Sequence, residues 1–187
     1  MNRTMPVTAI MQSTEVPDIV VRARAFAVTK HGRQLRKYSD EPYVAHLDSV
    51  VSILRSFGIT APAVLAAAYL HDTVEDTEAT IQDIYDSFGE QIAELVYWLT
   101  DAEQGRRRMR KIMSAWRLGR APWDAKMIKL ADLIDNTEDI CRKDRHFAPV
   151  YLREKRRIMA KMVEAEGDRL TTLAIFREAS RIMSLPR

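Results

Sequence analysis

One histidine and three carboxylates fall within six positions, at His71, Asp72, Glu75 and Asp76, directly behind the apolar run Ala66-Ala67-Ala68-Tyr69-Leu70. On a helix, His71 and Glu75 stand one turn apart on one face, and Asp72 and Asp76 on the next. Ionisable groups this close repel one another unless a cation or a cationic ligand sits among them. An imidazole with carboxylates suits a divalent transition metal such as Mn²⁺, Fe²⁺ or Zn²⁺. A solvated acidic helix end is the plainer reading of a lone His-Asp pair; the whole run favours a metal site.

Two other segments add candidates. In residues 126–140, KMIKLADLIDNTEDI, Asp132 has apolar neighbours on both sides, which is unusual for a solvated aspartate. A buried carboxylate must be paired or metal-bound. Asp132 and Asn136 share a helix face, as do Asp135 and Asp139; Asp135, Glu138 and Asp139 read as surface groups near a helix end. In residues 42–50, PYVAHLDSV, His46 lies three after Tyr43 and four before Val50, a spacing that can turn it inward. A lone inward histidine is more often a satisfied core residue than a ligand. The set changes those odds, because His46, His71-Asp72 and Asp132 come from three segments, and helical bundles build metal sites from inward groups on facing helices.

These residues need helices to carry them. Apolar positions at helical spacing predict helices over 18–30, 43–57, 61–71, 80–88, 90–100, 106–118, 123–140, 150–164 and 168–183. Thr60 is the expected cap of the third, with Pro62 tolerated in its first turn. That third helix is apolar nearly all round and should be central. Residues 31–42, HGRQLRKYSDEP, form a polar loop. With only 6 Gly and 7 Pro in 187 residues, the fold class expected is all-α, a single-domain helical bundle over 18–187 behind an N-terminal arm, 1–17.

Composition narrows the function classes. Hydrophobic residues make up 47% and charged residues 29%, a globular profile. The single Cys141 excludes an internal disulfide framework. No apolar run reaches the ~18 residues of a membrane span, and no signal peptide is evident, so a cytoplasmic protein without a membrane partner is expected. The net charge of +3 suits an anionic small molecule as well as nucleic acid. The basic stretch Arg106–Lys111 lacks interleaved aromatics and reads as the solvated face of an amphipathic helix, so no nucleic-acid partner is expected. Trp98, Trp116 and Trp123 read as core or interface residues.

The order H…HD…D resembles the HD superfamily of metal-dependent phosphohydrolases. KHGRQLRKYSDEPYVAH, LAAAYLHDTVEDTEAT, FGEQIAELVYWLTD and KMIKLADLIDN resemble, more narrowly, the hydrolase domain of RelA/SpoT-type proteins, from about Ala25 to Asn136. With no synthetase or regulatory segment after Arg187, the resemblance implies a stand-alone small alarmone hydrolase. Such enzymes remove the 3′-pyrophosphate from guanosine tetra- or pentaphosphate and typically use Mn²⁺. Matched residue by residue, the metal ligands fall on His46, His71, Asp72 and Asp132. The following acidic pair falls on Glu75 and Asp76, with Glu75 the candidate to orient or deprotonate the attacking water. Arg36 and Lys37 match an Arg-Lys pair suited to phosphate, and Asn136 is a candidate substrate contact.

The chain departs from that pattern just after Asp132. Leu133 and Glu138 stand where basic residues are usual, and Asp135 where a histidine or an aromatic residue is. If these line the nucleoside pocket, base preference shifts. Guanosine alarmones rank first and adenosine analogues close behind. The alternative is an HD-type phosphohydrolase acting on another nucleotide, such as NADPH or a nucleoside monophosphate.

Overall fold

The computed structural model describes residues 17–184; the expected N-terminal arm lies outside them except for its last residue. The described residues form eleven helices and no strand: α1 (Asp18–His31), α2 (Val44–Ser56), α3 (Pro62–Leu70), α4 (Thr73–Asp76), α5 (Ile81–Phe88), α6 (Glu90–Leu99), α7 (Arg107–Arg120), α8 (Trp123–Lys143), α9 (Ala148–Glu166), α10 (Asp168–Thr171) and α11 (Ala174–Ser184). The all-α expectation holds. None of these helices is long and apolar enough to cross a membrane.

Helix α3 is the hub. Every residue from Val64 to Leu70 is buried, which its apolar sequence demands, and it packs against α1, α2, α6 and α8. Pro62 occupies its first turn, but the residue before it, Ala61, makes no side-chain cap. Thr60 therefore does not cap this helix as expected; Pro62, which has no amide hydrogen to satisfy, starts it. Helix α5 is closed by a full capping box. Thr80 Oγ accepts from the Asp83 amide at 3.1 Å, and the Asp83 carboxylate accepts from the Thr80 amide at 2.8 Å. Gly89, at φ +84°, turns the chain from α5 into α6.

Three differences from the predicted boundaries stand out beside shifts of one or two residues elsewhere. Helix α8 continues past Ile140 to Lys143, and the terminal stretch 168–183 breaks into α10 and α11. The helix expected to run through His71 stops at Leu70. Asp72 sits at φ −100° and ψ −5°, in the sparsely populated bridge region, before one more turn, α4. A second group of helices, α7 and α9, packs side by side, and the loop 32–43 folds back through a single antiparallel bridge between Leu35 and Pro42.

Candidate metal centre and anion cleft

His46 projects from the first turns of α2, His71 ends α3, Asp72 opens α4 and Asp132 sits in the middle of α8. The structure brings all four together. His46 Nε2 lies 3.6 Å from Asp72 and 3.5 Å from Asp132; His71 Nε2 lies 3.1 Å from Asp72 and 3.8 Å from Asp132. Donor atoms of His46, His71 and Asp132 all fall within 4.8 Å of one another, and all three residues are buried.

Both histidines are set for a cation. His71 Nδ1 bonds the Ala68 carbonyl at 2.8 Å, and His46 Nδ1 bonds Asp135 at 2.7 Å. An acceptor at Nδ1 holds the proton there and leaves Nε2 as the lone-pair atom. Both Nε2 atoms are buried without a hydrogen-bond partner, a costly arrangement unless something else satisfies them. Burial pulls His71 toward its neutral form, yet Asp72 and Asp132 outweigh it and raise its pKa to about 9. The pocket is thus built to hold positive charge, and the donor set, two imidazoles with two carboxylates, fits a divalent transition metal.

The carboxylates are braced in turn. Tyr43 donates its hydroxyl to Asp72. Lys129 pairs with Asp132 at 2.7 Å, and Asn136 donates to the other oxygen. Asp135 is not a surface group. Its side chain is 11% exposed and accepts from both His46 and Arg36, each at 2.7 Å. Asp139 also pairs with Arg36, at 3.3 Å. The reading of these two as helix-end surface groups is corrected by the longer α8 and by a partner from the distant loop. Glu138 is exposed. Leu133 is fully buried in the apolar core.

Glu75 and Asp76 lie on α4, at the solvent side of the cluster. Glu75 accepts from the Asp101 amide at 3.0 Å, and Asp76 faces Gln34 at 3.4 Å. Burial, with Asp72 nearby, raises the pKa of each. Groups so shifted hold and release protons closer to neutral pH than ordinary carboxylates do.

Beside the cluster opens a cleft of about 310 Å³ whose lining includes Lys37, His46, Arg107, Lys111, Asn136 and Lys155. Arg36 lines it too, but its guanidinium is already engaged by Asp135 and Asp139. Lys37 leans over the rings of Tyr38 and Phe147, at 4.8 and 5.3 Å. Three features of the centre and its cleft lie beyond the sequence reading: the lysine on Asp132, the brace on His46, and the cleft cations of α7 and α9. Lys129 was legible three residues before Asp132. Arg107 and Lys111 belong to the stretch read as a solvated basic face, yet they turn toward the cleft. Of the tryptophans, Trp98 and Trp123 pack against the core, while Trp116 is half exposed beneath the Lys161 ammonium.

Curated relatives are similar to the central part of this chain. The Drosophila melanogaster protein named guanosine-3′,5′-bis(diphosphate) 3′-pyrophosphohydrolase MESH1 is 40% identical over 117 residues, 62% of this chain and 65% of its own length. Its human namesake is 38% identical over 125 residues, 66% of this chain and 70% of its own. A solved structure described as a metazoan ortholog of SpoT that hydrolyses ppGpp superposes with a TM-score of 0.80 at 29% identity, covering 91% of this chain and 96% of that one. The HD domain pattern itself matches residues 23–167, which span His46, the His71-Asp72 pair and Asp132; the chain belongs to the HD domain family.

Proposed function

We propose that this chain is a divalent-metal-dependent hydrolase that removes the 3′-pyrophosphate of a guanosine alarmone, releasing pyrophosphate and the nucleoside 5′-di- or triphosphate. One observation carries the reading: two buried, unpartnered imidazole nitrogens face Asp132 at the edge of a cleft lined with cations. That combination suits a polyphosphate ester, and the MESH1 relatives are named for this reaction.

His46, His71, Asp72 and Asp132 would hold the metal, with Mn²⁺ the ion the family resemblance favours. A divalent ion there would polarise phosphoryl oxygens and make water far more acidic. Glu75, held by the Asp101 amide, would take the proton of the attacking water. Asp76 would share that proton load, a role its raised pKa supports. Lys37 and Asn136 face the cleft to receive the nucleotide. Arg36 would act chiefly through Asp135 and His46 rather than on phosphate.

Leu133 lies in the core, Glu138 outside the cleft, and the Asp135 carboxylate is taken up by His46 and Arg36, so none of the three departures lines the cleft. Guanosine therefore ranks ahead of adenosine. The test is a substrate panel with Mn²⁺: guanosine and adenosine 3′,5′-bisdiphosphates, NADPH and a nucleoside monophosphate. Turnover led by the guanosine compound is expected; activity confined to NADPH or to the monophosphate overturns the reading.

A further inference from the structure

Lys155 stands on α9 one turn after Tyr151, with its ammonium 5.3 Å from the centre of that ring. It lines the same cleft as His46 and Asn136. Most other cations of the wall are committed to carboxylates. Arg107 donates to both oxygens of Glu154 at 3.0 and 2.9 Å, Lys111 holds Asp101 at 2.6 Å, and Arg36 holds Asp135 at 2.7 Å. Lys155 has no such ion pair among the described residues, although the protein crowds it. Burial, with the positive charges of Lys129 and Lys111, pulls its pKa down to about 8 against the opposing pull of Asp132 and Asp101. An ammonium held away from water without a counter-charge is destabilising. Such a group persists where an anion supplies the missing charge.

The neighbours say which end of the cleft this is. Lys155 shares the cleft wall with His46 and with Lys111, whose partner Asp101 holds Glu75 through its amide, so it stands on the side of the candidate metal centre. Lys37, the other cleft lysine without a carboxylate ion pair among the described residues, stands with Tyr38, Phe147 and Asp144 at the end of α8. A nucleotide with diphosphates on the 3′ and 5′ oxygens of one ribose offers two anionic groups to these two lysines. Building on the 3′-pyrophosphohydrolase reading above, we propose that Lys155 binds the phosphoryl oxygens of the 3′-pyrophosphate as water attacks its inner phosphorus and the nucleoside 3′-oxygen leaves, while Lys37 serves the 5′-diphosphate. Lys155 would then be a charge-assisted contact to the group under attack, retained on the released pyrophosphate.

The test is calorimetric titration of inorganic pyrophosphate, and separately of GDP, into the Mn²⁺-loaded full chain, comparing wild type with Lys155→Met and Lys155→Arg. Lys155→Met should weaken pyrophosphate binding at least tenfold and leave GDP binding within twofold, with the metal content unchanged. Lys155→Arg should restore most of the pyrophosphate affinity. Lys155→Met should also melt no lower than wild type, since it removes an uncompensated charge and keeps the volume. Equal pyrophosphate affinity in wild type and Lys155→Met overturns the assignment, as does an equal loss for GDP. The outcome is separable from the proposed reaction. If the 3′-diphosphate is not hydrolysed yet pyrophosphate binding depends on Lys155, the substrate reading falls and the anion site stands. If hydrolysis is robust and pyrophosphate binding ignores Lys155, this inference alone falls.

Discussion

Asp135 braces the candidate metal centre from behind His46. It accepts from His46 Nδ1 and is itself held by Arg36, so its charge fixes which imidazole nitrogen points into the cluster. Asp135→Ala should weaken Mn²⁺ affinity by roughly 10–100-fold, measured by metal titration; an unchanged affinity would reduce the contact to packing. Asp132→Ala should lose metal and turnover together, because it removes a carboxylate from among the donor atoms. Glu75→Ala should keep near-normal metal content, since Glu75 is not among the grouped donor atoms, and lose turnover with the proposed proton acceptor for the water. Retained activity in Glu75→Ala would move the proton-accepting role to Asp76. Residue type and spacing made His46, His71, Asp72 and Asp132 legible as one set, because each is a polar group in an apolar setting. Asp135 was not legible, because its partners His46 and Arg36 lie 89 and 99 positions away.

Elements position these groups through contacts that helical periodicity does not encode. The loop after α6 shows this. Asp101 binds Glu75 through its amide, while its carboxylate accepts from Lys111 and Ser114, both at 2.6 Å, and from Arg117 at 2.9 Å. Burial alone would raise the Asp101 pKa, but Lys111 and its other partners bring it down to about 2. The sign follows: a carboxylate depressed on folding stabilises the fold above its unfolded value and loses that contribution as pH falls from near 4 toward 2. Asp101→Asn should cost about 2 kcal/mol at neutral pH and flatten the acid limb of a stability-versus-pH curve over that window. An unchanged limb would show that the network carries no net energy. Packing of α7 on α9 is equally specific. A methyl group on Gly119 would meet the Lys161 carbonyl oxygen at 3.0 Å and its Cβ at 3.1 Å. Gly119→Ala should therefore destabilise by roughly 1–3 kcal/mol, read as a lower Tm; a neutral result would mean that the two helices slide apart freely. The helices themselves were visible from apolar spacing, but their ends were not. The break at His71-Asp72, the extension of α8 and the split of α10 from α11 all depend on what packs nearby.

At the scale of the whole molecule, one cleft joins helices distant in sequence: α2 brings His46 and α8 Asn136, the loop after α1 brings Arg36 and Lys37, and α7 and α9 bring the remaining cations. The all-α class followed from composition and period, and the candidate metal cluster from polar residues in apolar segments, with the resemblance carried by HDTVEDT added to it. The cleft wall did not follow, since nothing in the α9 sequence distinguishes Tyr151 and Lys155 from residues of any amphipathic helix. As proposed, this assembly cleaves a 3′-diphosphate from a nucleotide as one unit. Incubating Mn²⁺-loaded protein with guanosine 3′,5′-bisdiphosphate and separating the products by charge tests this. One pyrophosphate and one GDP with a free 3′-hydroxyl are expected for each molecule consumed, and neither product from Asp132→Ala. Release of orthophosphate in place of pyrophosphate, or an untouched substrate with the metal bound, would contradict it.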